Sequence, residues 1–164
     1  MRVEYKKNFL LIGYRMPKEY IAMQGDCFTI EWYYDSKGKI PALEYFEGLS
    51  NDQKDALEYM FRVMAFTGQI RNKEKFRHEG DQIYAFKPKP DRFLCFFYKC
   101  GKIIVTNAFE KKTDKLPPRE KDKALKAEAD NIKRCKEGTY YDEKNQINQR
   151  SIHGIIYSET TKKI

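Results

Sequence analysis

The segment Phe28-Thr29-Ile30-Glu31-Trp32-Tyr33-Tyr34 alternates and is rich in β-branched and aromatic residues, so it predicts a strand, ended by Asp35-Ser36-Lys37-Gly38. Pro41 suits the first position of a short helix running to Glu47, with Gly48 as its stop. Ser50 followed three residues later by Gln53 is a capping-box signature. Leu57, Met60, Phe61 and Met64 then fall on one helical face, ahead of Gly68 at the expected C-terminal stop. These two helices are expected to form a hairpin with one apolar side, and Met60 and Met64 read as core packing.

From Phe76 the period changes to two. Residues 83–87, 92–98 and 103–109 are three strand candidates, joined by a Lys-Pro-Lys-Pro-Asp turn and by Lys99-Cys100-Gly101-Lys102. Connections this short make the pairing antiparallel. On the middle strand Arg92, Leu94, Phe96 and Tyr98 share one face, and Phe93, Cys95 and Phe97 the other. Pro117-Pro118 opens a helix to about Cys135, stopped by Gly138, with a thin apolar stripe of Leu125, Ala129 and Ile132 among lysines and arginines. A further strand candidate covers residues 151–158. The fold class is therefore α+β: a mostly antiparallel twisted sheet with an N-terminal helical hairpin and a C-terminal basic helix.

A length of 164 residues accommodates one domain, or a compact domain of roughly 110 residues with extra termini. Phe9-Leu10-Leu11-Ile12 is broken by Gly13, far short of the ~20 residues a membrane span needs, and no secretory signal follows Lys6-Lys7. The four cysteines form no C-x-x-C pair, and His78 and His153 are not spaced to complete a zinc site with them. A reduced cytoplasmic protein without metal or cofactor is the expectation, and no membrane partner.

The net charge of +8 favours a polyanionic partner. It is unevenly spread: residues 26–68 carry 4 basic and 8 acidic side chains, whereas residues 69–136 carry 19 and 10. The later elements thus build a basic working face. With 12 Tyr, 11 Phe and one Trp, the chain has enough rings to fill a small core, which excludes a disordered basic tail.

Several cations gather around the predicted sheet: Lys75, Arg77 and His78 ahead of it, Lys87 and Lys89 after its first strand, Arg92 at the start of the next, and Lys111 and Lys112 after the last. Antiparallel order brings Lys87, Arg92 and Lys111 to one sheet end. Three cations there make a phosphate-sized site, in which an arginine fork holds two oxygens; a solvated rim of lysines is the plainer reading. Tyr84 and Tyr98 could stack on bases, although strand aromatics more often belong to a core.

The order of elements, with Ile83-Tyr84-Ala85-Phe86-Lys87, the Arg92-Phe93-Leu94-Cys95-Phe96-Phe97-Tyr98 strand, Phe109-Glu110-Lys111-Lys112-Thr113 and the basic helix bearing Ala124, resembles the RelE/ParE toxin superfamily, and within it the phage-derived HigB-like branch. The resemblance covers about residues 27–136. It divides the chain into an extension over 1–25, a toxin domain over 26–136 and a tail over 137–164 with a candidate extra strand.

The resemblance implies a RelE-like fold and a ribosome-dependent mRNA interferase, an endoribonuclease toxin. Such toxins cut RNA without metal, by attack of a 2′-hydroxyl on the neighbouring phosphate. The implied partners are an antitoxin, expected to be a helix-turn-helix protein, the ribosome and mRNA. That chemistry needs a proton acceptor, cations for the phosphoryl oxygens and a donor for the leaving oxygen. Arg92 and Lys111 are the phosphate candidates. Lys87 or Lys112 becomes a base only if burial and neighbouring cations pull its pKa down, whereas His78 needs no such shift. Lys75, Arg77, Lys89, Arg119 and Lys123 are candidates for RNA backbone contacts. Glu110, where the family pattern has an apolar or neutral residue, lies beside the two lysines and is placed to neutralise one of them. Two other readings stay open: a non-cleaving gyrase inhibitor on the same scaffold, as in ParE, and an RNA-binding domain that has lost catalysis.

Overall fold

The computed structural model describes residues 20–113 and 115–141. The strand expected over 151–158, His153 and most of the extension and tail lie outside the described residues.

The described elements are β1 Ile21–Gln24, β2 Thr29–Trp32, α1 Pro41–Glu47, α2 Asn51–Thr67, β3 Phe76–His78, β4 Tyr84–Phe86, β5 Asp91–Tyr98, β6 Lys102–Glu110 and α3 Pro118–Lys136. The six strands form one mixed sheet in the order β1-β2-β6-β5-β4-β3. Neighbours are antiparallel except β2 and β6, which run parallel from Thr29 beside Lys102 to Trp32 beside Val105. The α+β class stands, with a parallel pair joining the first hairpin to the meander.

One face of the sheet carries α1 and α2. Ser50 caps α2 through the reciprocal box with Gln53, and Gly68 closes it at φ 77°. Its stripe of Leu57, Met60, Phe61 and Met64 is buried against the sheet, each such side chain contributing roughly 1.5–3 kcal/mol on burial. Trp32 centres this layer, with its ring 5.6 Å from both Phe46 and Phe61. The expected N-terminal helical hairpin is corrected here. Two strands precede the helices, and each helix lays its apolar side on the sheet, α1 against β6 and α2 against β1 and β2. Seven-residue α1 has only Ala42 and Phe46 to bury, and the sheet takes both.

The other face carries α3. Its buried residues are Ala124, Ala127 and Asn131, not the stripe read from the sequence; Leu125 and Ile132 are half-buried and Ala129 is exposed. Two alanines one turn apart let the helix approach closely, which places its larger apolar groups at the rim. The C-terminal end of α3 is fixed by Tyr140, which is stacked on Tyr34 at 4.3 Å and lies 4.6 Å from the Arg134 guanidinium. Tyr34 donates from its hydroxyl to the Tyr140 carbonyl.

A bulge in β6 decides which side chains meet α3. Leu94 pairs with Asn107 but Cys95 pairs with Val105, leaving Thr106 as the extra residue. Its hydroxyl donates to the Leu94 carbonyl at 3.1 Å. Ile103 and Val105 face α1 and α2, whereas beyond the bulge Phe109 packs on the α3 side. The extra residue reverses the alternation, so Asn107, Phe109 and Lys111 all turn to the face they would otherwise avoid.

Candidate active site

The sheet end on the α3 side holds an open cleft of about 240 Å³, solvent included. Among the described residues its lining comprises four cations (Arg77, Arg92, Lys111 and Lys115), four apolar side chains and one carboxylate, Glu79. Strand register explains the gathering. Arg77 of β3 lies opposite Ala85, Ala85 opposite Leu94, and Arg92, two residues before Leu94, opposite Phe109. Small Ala85 leaves room between Arg77 and Arg92. Lys111 arrives by way of the Thr106 bulge, and its backbone N–H donates to the Pro90 carbonyl at 3.1 Å.

Arg92 is 7% exposed and donates from Nη1 to the Asp91 carbonyl at 2.7 Å. Burial, then repulsion from Arg77, pulls its pKa below the usual arginine value, while Glu79 pushes the other way. Arg77 grips Glu79 with a two-pronged contact, Nε to Oε1 and Nη2 to Oε2, both at 3.1 Å. The Glu79 side chain is only 9% exposed. It begins a tight loop in which Gly80, Asp81 and Gln82 all take positive φ, 88°, 52° and 65°. Asp81 pairs with Lys121 of α3 at 2.7 Å, and Asn107 donates to the Glu120 carbonyl at 3.2 Å and carboxylate at 3.1 Å. Loop, strand and helix N-terminus are thereby locked around the cleft.

Lys87 is buried, with Nζ donating to the Lys73 carbonyl at 3.0 Å. Burial lowers its pKa, and nearby Arg77 and Arg92 lower it further, against the opposing pull of Glu74. Lys112 is exposed beside Lys111. His78 and Tyr84 are on the opposite side of the sheet, their rings 4.8 Å apart, and Tyr84 packs with the α2 layer. The structure thus does not bring His78 to the cleft. Lys75 reaches over the Tyr59 ring of α2 at 5.6 Å, and Lys89 pairs with Glu74 at 3.6 Å. Arg119 is exposed in the first turn of α3, where Lys123 pairs with Glu120 at 2.7 Å.

Glu110 does not neutralise the lysines. It stands across from Asp91, on the face where Asp91 accepts from the Tyr45 hydroxyl at 2.6 Å and Gln53 Nε2 at 2.8 Å, and its field reaches Tyr45. Lys115 and Glu79 are the two charged residues of the described lining that sequence reasoning missed. Glu79 follows Arg77 by two residues in a loop with Gly80, a spacing that admits the pair, and Lys115 sits between Thr113 and the Pro117-Pro118 helix start.

The cleft presents the Arg92 guanidinium and the Lys111 and Lys115 ammonium groups to an anion of phosphate size, while the Arg77 fork is held by Glu79. Over residues 44–128 the chain matches the model of a family described as phage derived protein Gp49-like (DUF891). No curated protein matches the chain. The match runs from α1 into α3 and takes in β3 to β6, with every lining residue of the cleft; the chain belongs to the Gp49-like family of phage-derived proteins.

Proposed function

We propose that this protein is the toxin of a toxin and antitoxin pair, acting as a ribosome-dependent mRNA interferase of the HigB-like branch of the RelE superfamily. The observation that carries the reading is the convergence of Arg77, Arg92, Lys111 and Lys115 on one cleft beside a sheet end. Membership of the Gp49-like family, which is associated with RelE-type and toxin-like proteins, supports it.

In this reading the cleft binds the scissile phosphate. Arg92 stays charged at any working pH even with its pKa lowered, because a guanidinium starts from so high a value. Held in a half-desolvated site, it stabilises the charge that grows on the phosphoryl oxygens as the 2′-oxygen attacks. Lys111 and Lys115 flank the same phosphate. Arg119, Lys123 and Lys112, exposed near the α3 entry, contact the RNA backbone on either side. The antitoxin partner covers the same basic surface, and cleavage proceeds without metal.

Inducible expression with mapping of RNA ends tests this. The expected result is growth arrest with cuts inside translated codons, and purified protein that cuts mRNA on programmed ribosomes. Intact mRNA with DNA damage would replace it by the gyrase-inhibitor reading, and tight, steeply salt-dependent RNA binding without cuts by the binding-domain reading.

A further inference from the structure

Transfer of the 2′-hydroxyl proton needs an acceptor within hydrogen-bond reach of the phosphate site. Among the described residues that line the cleft the one carboxylate is Glu79; His78 lies across the sheet, and Lys87 stands outside the lining with its ammonium on the Lys73 carbonyl. We propose that Glu79 is the catalytic proton acceptor of the cleft, held on Arg77 in the free protein and released when an RNA phosphate takes over the Arg77 fork. This rests on the RNA-cleaving reading above.

The geometry supports the exchange. A carboxylate and a phosphate present the same pair of oxygens to a guanidinium, so the incoming phosphate competes for the donors at 3.1 Å that now hold Glu79. The displaced carboxylate cannot leave the site. Its backbone begins the loop pinned by Asp81 to Lys121, and its side chain is already enclosed. The groups that face it are Arg77 from β3, Lys87 from the end of β4, Arg92 from β5 and Lys111 and Lys115 from the segment after β6; Asp81 and Lys121 stand on the loop side.

The step balances. The O2′–H proton passes to a Glu79 oxygen, the O2′ electron pair forms the new bond to phosphorus, and the P–O5′ bond breaks. The leaving O5′ takes a proton from a lysine ammonium of the cleft. The products are a 2′,3′-cyclic phosphate and a 5′-hydroxyl, and water carries the proton from Glu79 back to the lysine.

The test measures single-turnover cleavage of mRNA on programmed ribosomes across pH for wild type, Glu79→Gln, Glu79→Asp and Arg77→Ala. Binding is measured in parallel with the same mRNA carrying a 2′-deoxy substitution at the mapped cut. Glu79→Gln is expected to lose about 10²–10⁴-fold in cleavage and the acid limb of the pH profile, while binding the deoxy probe at least as tightly as wild type. Glu79→Asp should keep the acid limb at a reduced rate, which shows that the loss is chemical and not a folding failure. Arg77→Ala should bind the deoxy probe more weakly than wild type, because it removes the fork that takes the phosphate, whereas Glu79→Gln should not. Cleavage by Glu79→Gln at the wild-type rate and profile overturns the proposal and leaves the RNA-cleaving reading intact. A wild-type protein that cuts nothing overturns both.

Discussion

Replacing Arg92 by methionine should raise stability and abolish function together. Arg92 is 7% exposed and, among the described residues, donates from its side chain to the Asp91 carbonyl at 2.7 Å. A hydrogen bond to a charged group returns about 1.5–3 kcal/mol, whereas desolvating an ion of this kind costs several kcal/mol even after relaxation. Glu79, Glu74 and Asp91 attract Arg92 and Arg77 repels it, and the balance of these charges falls short of the burial penalty. Methionine keeps an unbranched stem of similar reach beside Leu94 and Phe109 and removes the cation. Arg92→Met should therefore be more stable by about 1–2 kcal/mol, seen as a Tm higher by ~3–8 °C and a higher urea midpoint at unchanged slope. Loss of the guanidinium from the phosphate site should cost about 3–4 kcal/mol at the transition state, a fall of about 10²–10³ in cleavage. Urea melts and ribosome cleavage assays on the same preparation read both numbers. Destabilisation by more than about 1 kcal/mol would refute the reasoning, since Arg92 would then be a structural support and not a cation held ready for a ligand.

Lys87→Met should also stabilise, with a pH dependence of definite sign. Burial holds the folded-state pKa of Lys87 below its ordinary 10.5, so the wild-type penalty is full at neutral pH and disappears as pH rises through the folded value toward 10.5; the stability gap between variant and wild type should close over that window in urea melts. Tyr140→Ala should cost about 3–5 kcal/mol in the same assay, because it opens the space beneath Tyr34 and Arg134, while Tyr140→Phe keeps the ring and loses the bond from the Tyr34 N–H at 3.2 Å, about 1 kcal/mol. Glu110→Gln should leave cleavage within about twofold of wild type, since that carboxylate faces the α1 and α2 side, away from the cleft.

Much of this fold is written in local signals. The Ser50 and Gln53 box, the 57-60-61-64 stripe and Gly68 each act within a few residues, so α2 could be placed from its own sequence. The alternation of β5 likewise sorted Arg92 and Leu94 from Phe93 and Cys95 before any partner strand was known. What escaped depends on distant neighbours. Strand β1 is four residues long with a mixed exposure pattern, and β3 is Phe-Arg-His, too short and too polar to carry a period. The Thr106 bulge leaves no mark on the sequence, yet it decides that Lys111 faces Arg92 and that Glu110 does not. Glu79 was overlooked for a related reason: its partner Arg77 sits two residues away, but its meaning comes from Arg92 and Lys111, which only the sheet order brings close.

The parallel pairing of β2 with β6 sets an order of events on the ribosome. The β1 and β2 hairpin and both early helices are synthesised first, but the Trp32 layer they line has no floor until β6, some 70 residues later by the register of Thr29 with Lys102, has emerged. Long-range closure of this kind is entropically costly and forms late. Lys111 and Lys115 come later still, just ahead of α3. A nascent chain therefore has no assembled cation cleft until its last described strand is in place, and a chain truncated before β6 has neither a finished core nor a phosphate site.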